Sequence, residues 1–246
     1  DPMAENFDPF ASDDDGSCNY LDGGPACNYE SSVTFDGYTY ELISIGEQCW
    51  FAENLRTEHY ANGDEVIHAA SSGEFHDTNE GHQCISGEFG SLYQGSSGDV
   101  EQNLVDFGRL YNPAAVIDVR GICPIGFGVP NYEDFVELGN LWGDTISFQY
   151  GGPLGRFHFF GEVLKSNQAD EVPWNGTNEI DFDWRPAGSL SGGFFVGTGS
   201  GNFLHSMLGL HVDGQVGFAS VETSYSILDF TTTVNTSSLS ARCLKD

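Results

Sequence analysis

The stretch Ile45 to Arg56 reads I-G-E-Q-C-W-F-A-E-N-L-R and places a cysteine, two large aromatics and an Asn-Leu-Arg exit within twelve residues. It follows V-T-F-D-G-Y-T-Y-E-L-I-S, from Val33, in which apolar positions alternate as they do along half-buried strands. Asp36-Gly37 divides that run. Both central residues of a type I′ turn need φ > 0, so the sequence predicts a hairpin that delivers the chain to Gly46. Cys49, Trp50 and Phe51 then enter a core. Asn54 and Arg56, where the strand ends, are read as a structural hydrogen-bonded pair that ties down loop backbone, with Trp50 as scaffold.

Composition limits what surrounds this seam. The 246 residues are enough for a sizeable core, which 19 Phe, 10 Tyr and 4 Trp supply. Thirty-two glycines with nine prolines favour many turns and short strands over an all-helical fold. Only 8 Lys+Arg stand against 37 Asp+Glu, a formal net charge of -29. Such a surface repels phosphate backbones and anionic lipid, which argues against nucleic-acid partners and electrostatic membrane attachment. The acidic excess suits solubility in salty surroundings or the binding of divalent cations.

Six cysteines, Cys18, Cys27, Cys49, Cys84, Cys123 and Cys243, are widely spaced with no Cys-x-x-Cys pair. That is disulfide spacing rather than zinc spacing, and it points to an oxidising, extracellular or cell-surface location. The chain opens on Asp1 and contains neither an 18-residue apolar run nor a signal-peptide core, as expected of a mature secreted protein without a membrane span.

Upstream of the hairpin, residues 1–32 form an acidic, turn-rich arm. Asn6, Asp8, Asp13, Asp14 and Asp15 are oxygen ligands of the kind Ca²⁺ takes, and Gly16 permits a sharp turn around an ion. The EF-hand register fails, because Ala11 falls where its first Asp would be. The arm resembles the short D-P-x-A-x-N-F-D-P-x-A-x-x-D-D-G-S-C repeats of secreted Bacteroidetes proteins, related to thrombospondin-type calcium loops. That resemblance implies Ca²⁺ as a cofactor; the alternative is a solvated acidic linker. Cys18 and Cys27 are near enough in sequence to staple the arm locally.

Downstream, residues 57–106 read as a long irregular excursion. His76, His82 and Cys84 within it fit no familiar metal spacing. Order returns at F-G-R-L-Y-N-P-A-A-V, where Asn112 and Pro113 predict a helix over 113–119. Asn131 caps a second helix over 132–142, with Asp134 three residues on and Phe135, Leu138, Leu141 and Trp142 at helical spacing. Short strands follow near 157, near 194 and at the end. Gly197, Gly199 and Gly201 lack the Lys-Ser/Thr of a phosphate loop and read as a turn between strands. Asn175 and Asn235 lie in N-glycosylation sequons.

Five blocks, in order, carry a family resemblance: residues 38–56, G-R-L-Y-N-P-A-A-V (108–116), G-I-C-P-I-G-F-G-V-P-N-Y-E-D-F (121–135), F-D-W-R-P-A-G-S-L (182–190) and S-A-R-C-L-K-D (240–246). Residues 33–246 resemble the Fibrobacter succinogenes major paralogous domain, a family of secreted bacterial domains. The resemblance implies an α+β, C-type-lectin-like fold related to formylglycine-generating-enzyme domains. Its marks are short twisted antiparallel strands, about two helices, long irregular loops and terminal segments lying together.

Resemblance and spacing together imply a Cys123–Cys243 disulfide, with Cys18–Cys27 and Cys49–Cys84 completing the set. Phe127-Gly128 replaces the family's usual Trp-His, and N-F-L-H-S-M stands where an aromatic-rich block is expected. Neither Glu-Pro-Asn nor Gln-Pro-Asp, the lectin sugar-site tripeptides, occurs. Fold likeness therefore carries no activity across. Three functions follow as expectations. The first is a non-catalytic module binding a carbohydrate or a surface protein. The second is a subunit that assembles with itself into a filament or envelope through its arm. The third and most remote is a hydrolase built on paired carboxylates.

Overall fold

The structure is a computed structural model and describes residues 23–76, 78–89, 99–148, 154–167, 174, 176–191, 194–198, 205–212, 215–222, 225–232 and 238–246. Asn6, Asp8, Asp13, Asp14, Asp15 and Cys18 lie outside the described residues, as do Gly199, Gly201 and the sequon residues Asn175 and Asn235.

Strands β1 (Ser32–Phe35), β2 (Tyr38–Ile45), β3 (Gln48–Phe51), β4 (Ile67–His68), β5 (His82–Ile85), β6 (Arg109–Tyr111) and β7 (Phe127–Gly128) make up the first half. The second half adds β8 (Arg156–Phe157), β9 (Ala187–Ser191), β10 (Phe194–Thr198), β11 (His205–Val212), β12 (Gln215–Glu222), β13 (Leu228–Thr232) and β14 (Leu244–Lys245). Between them run helices α1 (Ser72–His76), α2 (Val100–Phe107), α3 (Pro113–Val116), α4 (Tyr132–Leu141) and α5 (Phe160–Leu164). The fold is thus mixed and mostly strand. It has five α-helices among the described residues where the sequence suggested about two, and Gly197 lies inside β10 rather than in a turn.

Three sheets result, ordered β1-β2-β3-β14-β7, β10-β9-β11-β12-β13-β8 and β4-β5-β6. The first is antiparallel throughout. In the second, β11 meets β9 in parallel at Ser206 and Gly188. In the third, β4 runs parallel to β5. The largest core cluster sets Trp50, Phe135, Phe157, Phe182, Trp184 and Phe230 between α4 and the six-stranded sheet. Trp50 is fully buried, edge-on to Phe135 and Phe182, and its indole N–H donates to Gln48 Oε1 at 2.9 Å.

The predicted hairpin is present. Phe35 pairs with Tyr38 across Asp36 (φ 49°) and Gly37 (φ 79°), both in the left-handed region that a type I′ turn requires. Asp36 also fastens the turn to the loop after β3. Its carboxylate accepts from Glu58 N at 2.7 Å and Thr57 Oγ1 at 2.9 Å, and His59 Nδ1 lies 2.8 Å away. Burial pushes this carboxyl up, but those hydrogen bonds and the His59 charge outweigh it and hold the group below its ordinary value. The stabilisation is therefore present above the unfolded-state pKa near 4 and is lost as pH falls through the lower folded-state value. Asp36→Asn, which keeps a residue that tolerates this backbone, is expected to cost about 1 kcal/mol at pH 7. Urea midpoints of wild type and variant should converge below about pH 3.

Helix α4 carries the expected capping box: Asn131 Oδ1 accepts from Asp134 N, and Asp134 Oδ2 accepts from Asn131 N. Asn112 caps α3, which closes at Val116, short of the predicted residue 119.

Among the described residues two disulfides close the fold, Cys123–Cys243 and Cys27–Cys49. The first is the pairing implied by the resemblance. The second corrects both local pairings: Cys27 bonds Cys49 rather than Cys18, and Cys84 is a buried free thiol. The reason is packing. A 3₁₀ turn over Pro25–Cys27 lies on β2 and β3, with Cys27 N donating to Ser44 Oγ at 3.3 Å and Ser44 Oγ to Gly23 O at 2.6 Å. That places Cys27 over Cys49. Cys84 sits instead on the three-stranded sheet among Phe75, Phe107, Leu110 and Leu190, where burial pushes its thiol well up. The end of the arm is thereby stapled to the domain, and Lys245 Nζ adds an ion pair to Glu30 at 2.8 Å.

Phe127-Gly128 forms β7 beside β14, and Phe127 packs edge-on to Phe51. No described helix is long and apolar enough to cross a membrane.

Candidate functional site

Where β3 ends, the backbone of Asn54 to Arg56 runs beside the C-terminus of α2. Helix ends leave carbonyls without intrahelical partners. Here Asn54 Nδ2 donates to Phe107 O at 3.0 Å, Arg56 Nε to Leu104 O at 3.3 Å and Arg56 Nη2 to Val105 O at 3.0 Å. A guanidinium at this end also suits the helix dipole. Both side chains hold carbonyls of α2, where the sequence suggested loop backbone, and they do not bond to each other. Gly108 makes the approach feasible: it lies at φ 74°, and a Cβ there would meet Leu55 O at 2.6 Å.

The other end of Asn54 reaches across the chain. Its Oδ1 accepts from Arg242 Nε at 3.3 Å and from Nη2 at 3.1 Å, while Arg242 Nη1 donates to Phe182 O. The Arg242 guanidinium stacks 4.2 Å from the Phe182 ring centroid and is 1% exposed. Burial pulls its pKa down to about 9, with Asp183 and Glu53 acting the other way, so it keeps its charge at neutral pH. Arg109, also buried, donates from Nε to Arg56 O at 2.9 Å and from Nη1 to Gln83 Oε1 at 2.8 Å, and it pairs with Glu58. The exit from β3 is thus held by guanidinium groups on both sides.

Above this frame opens a cleft of about 540 Å³. Glu41 and Ile43 of β2, residues 52–54 and Arg56, the end of α2, and the 178–185 loop with Arg242 line it. Three of the eight cationic side chains in the whole sequence meet here. Two are paired at the rim, Arg56 with Glu53 and Arg185 Nε with Asp183 Oδ2 at 2.8 Å. Burial pushes the Glu53 carboxyl up, and Arg56 and Arg242 only partly offset this.

Asn178, Asp181 and Asp183 take left-handed backbone at φ 51°, 54° and 46°. Asn and Asp tolerate that region better than other side chains with a Cβ. Asn178 Oδ1 accepts from Asp183 N at 2.7 Å and closes the loop on itself.

The other residues singled out in the sequence lie elsewhere. His82 Nδ1 is 2.9 Å from Glu80 O, and His76 ends α1. Among the described residues no group of three His, Cys, Asp or Glu side chains is arranged to hold a metal ion. Arg242, Arg185, Asp183 and Asn178 are the site residues that sequence reading missed. A signal existed: in a chain with eight cations, an arginine between Ala241 and Cys243 in a strand-like run is an expensive residue that needs partners.

The fold and site define a mixed, strand-rich, disulfide-closed domain presenting a rigidly framed polar cleft. The chain belongs to the Fibrobacter succinogenes major domain family (Fib_succ_major), whose model matches residues 43–203. That match begins within β2 and ends before β11, yet Arg242 and Cys243 return to its centre. No curated protein and no solved structure matches the chain.

Proposed function

We propose that this chain is a secreted, non-catalytic recognition module of the cell surface or extracellular space, with the cleft as its binding site. The observation that carries this is the cleft itself: charged and amide groups converge there on a frame tied down by Asn54, Arg56 and Arg242. Rigid support of converging polar groups is what recognition requires. The non-catalytic part draws on Glu53 and Asp183, each paired with an arginine rather than set against a reacting position. Export accords with two disulfides and an acidic surface. A C-type-lectin-like architecture belongs to the same proposal, supported by β14 lying between β3 and β7.

Arrays of cell-wall glycans and purified surface proteins, probed with wild type and with Glu41→Ala/Asp181→Asn, provide the test. The expected result is retention of at least one ligand, weakened tenfold or more in the variant at unchanged melting temperature. Equal binding by both proteins would remove the cleft from the reading. Release of reducing ends from a bound glycan would overturn the non-catalytic part.

A second reading, self-assembly through the arm, is favoured by β1. It is the edge of its sheet, and it directly follows the segment stapled by Cys27. A single monomeric species by sizing, with and without Ca²⁺, would count against it. Ca²⁺ bound by Asn6, Asp8, Asp13, Asp14 and Asp15 is part of this reading, and a melting temperature unmoved by chelation would remove it.

A further inference from the structure

We propose that the ligand of the cleft is a neutral saccharide, recognised by its hydroxyl groups. This rests on the cleft being the recognition site and concerns which chemistry completes it.

The groups that remain without partners among the described residues decide the matter. Arg242 has five N–H donors, of which three are used by described residues, and no described carboxylate stands within ion-pair distance of it. Its charge is met only from further off, by Asp183 and Glu53. Arg185 gives Nε to Asp183 and keeps both terminal nitrogens. Asn178 engages its Oδ1 and keeps Nδ2. Against these donors, Glu41 and Asp181 have side-chain oxygens that accept no hydrogen bond from the described residues. Donors and acceptors thus line one volume.

Each charged ligand satisfies half of this lining and opposes the rest. An ammonium group would suit Glu41 and Asp181 and meet three guanidinium groups. A carboxylate or sulfate would suit the arginines and meet the acids, in a chain carrying a net charge of -29. A hydroxyl both donates and accepts. Neighbouring hydroxyls can therefore take the fork of a guanidinium and give to a carboxylate on the same ring. A volume of about 540 Å³ holds a short oligosaccharide. None of the described lining residues is aromatic, so hydrogen bonds rather than ring stacking would provide the affinity.

Titration calorimetry with neutral gluco-, manno- and xylo-oligosaccharides, oligogalacturonate and chitosan oligomers tests this on wild type, Glu41→Ala and Arg185→Met. The expected result is exothermic binding of a neutral oligosaccharide, changed less than twofold between low and high salt. Both substitutions should weaken it at least fivefold, one removing acceptors and the other donors. A charged ligand gives opposite signs: an anion binds more tightly to Glu41→Ala, and a cation more tightly to Arg185→Met. Opposite signs, or no binding by any neutral probe, overturn the proposal. Opposite signs would leave the cleft as a binding site, whereas binding indifferent to both substitutions would remove the cleft itself.

Discussion

Arg242→Ala is expected to lower unfolding stability by about 3–5 kcal/mol, the largest effect of any single substitution considered. The guanidinium is fully buried, and its removal strands Asn54 Oδ1 and Phe182 O without donors. Each stranded acceptor costs about 1–3 kcal/mol, and the void beside the Phe182 ring adds to it. In a chain of this size that corresponds to a fall of roughly 10 °C in melting temperature. Arg242→Met keeps most of the stem volume and should recover part of the loss. Asn54→Ala combined with Arg242→Ala should cost about 1–3 kcal/mol less than the sum of the two, because they share one hydrogen-bonded unit. Urea denaturation measures the four variants against wild type. A loss below about 1 kcal/mol for Arg242→Ala would mean that the guanidinium does not hold the frame.

The two disulfides should differ in worth. Cys123–Cys243 spans 120 residues and Cys27–Cys49 spans 22. Restricting the unfolded chain by these loops stabilises the native state by about 4–5 and about 3 kcal/mol respectively. Paired alanine substitutions should reproduce that order in urea midpoints. The Cys27/Cys49 variant should keep the cleft's binding properties, since neither cysteine lines it. A larger loss for that pair than for Cys123/Cys243 would contradict the chain-entropy account.

Local grammar made part of this fold legible. Asp36-Gly37 demands one turn type, and the Asn131–Asp134 box starts one helix, so both features follow from neighbouring residues. Helix α2 escaped notice for a physical reason. Asp99 caps it at Gln102, but its buried face carries Asn103, whose amide donates to Ser86 O, and this polar residue interrupts the apolar period. The run near 157 read as strand alone, whereas the strand ends at Phe157 and α5 begins at Phe160. Short apolar runs suit either structure.

Asn54 and Arg56 stood out as polar groups at a strand end, but apart from Glu53 the partners of their side chains lie 48 to 188 residues away. A single sequence holds no record of such distances. Sequence proximity also misdirected the cysteine pairing: Cys27 lies nearer Cys18 along the chain, while the turn on β2 and β3 sets it over Cys49.

The position of β14 between β3 and β7 has a consequence for biosynthesis. The sheet that frames the cleft stays split until residues 240–246 arrive, and the Asn54 contact to Arg242 closes across 188 residues. Contacts this distant in sequence slow folding, because chain closure precedes any gain from the contact. A nascent chain lacking this segment has neither the Arg242 lining of its cleft nor the Cys123–Cys243 bond. It therefore remains unlocked until β14 has paired with β3 and β7 and Cys243 has been oxidised.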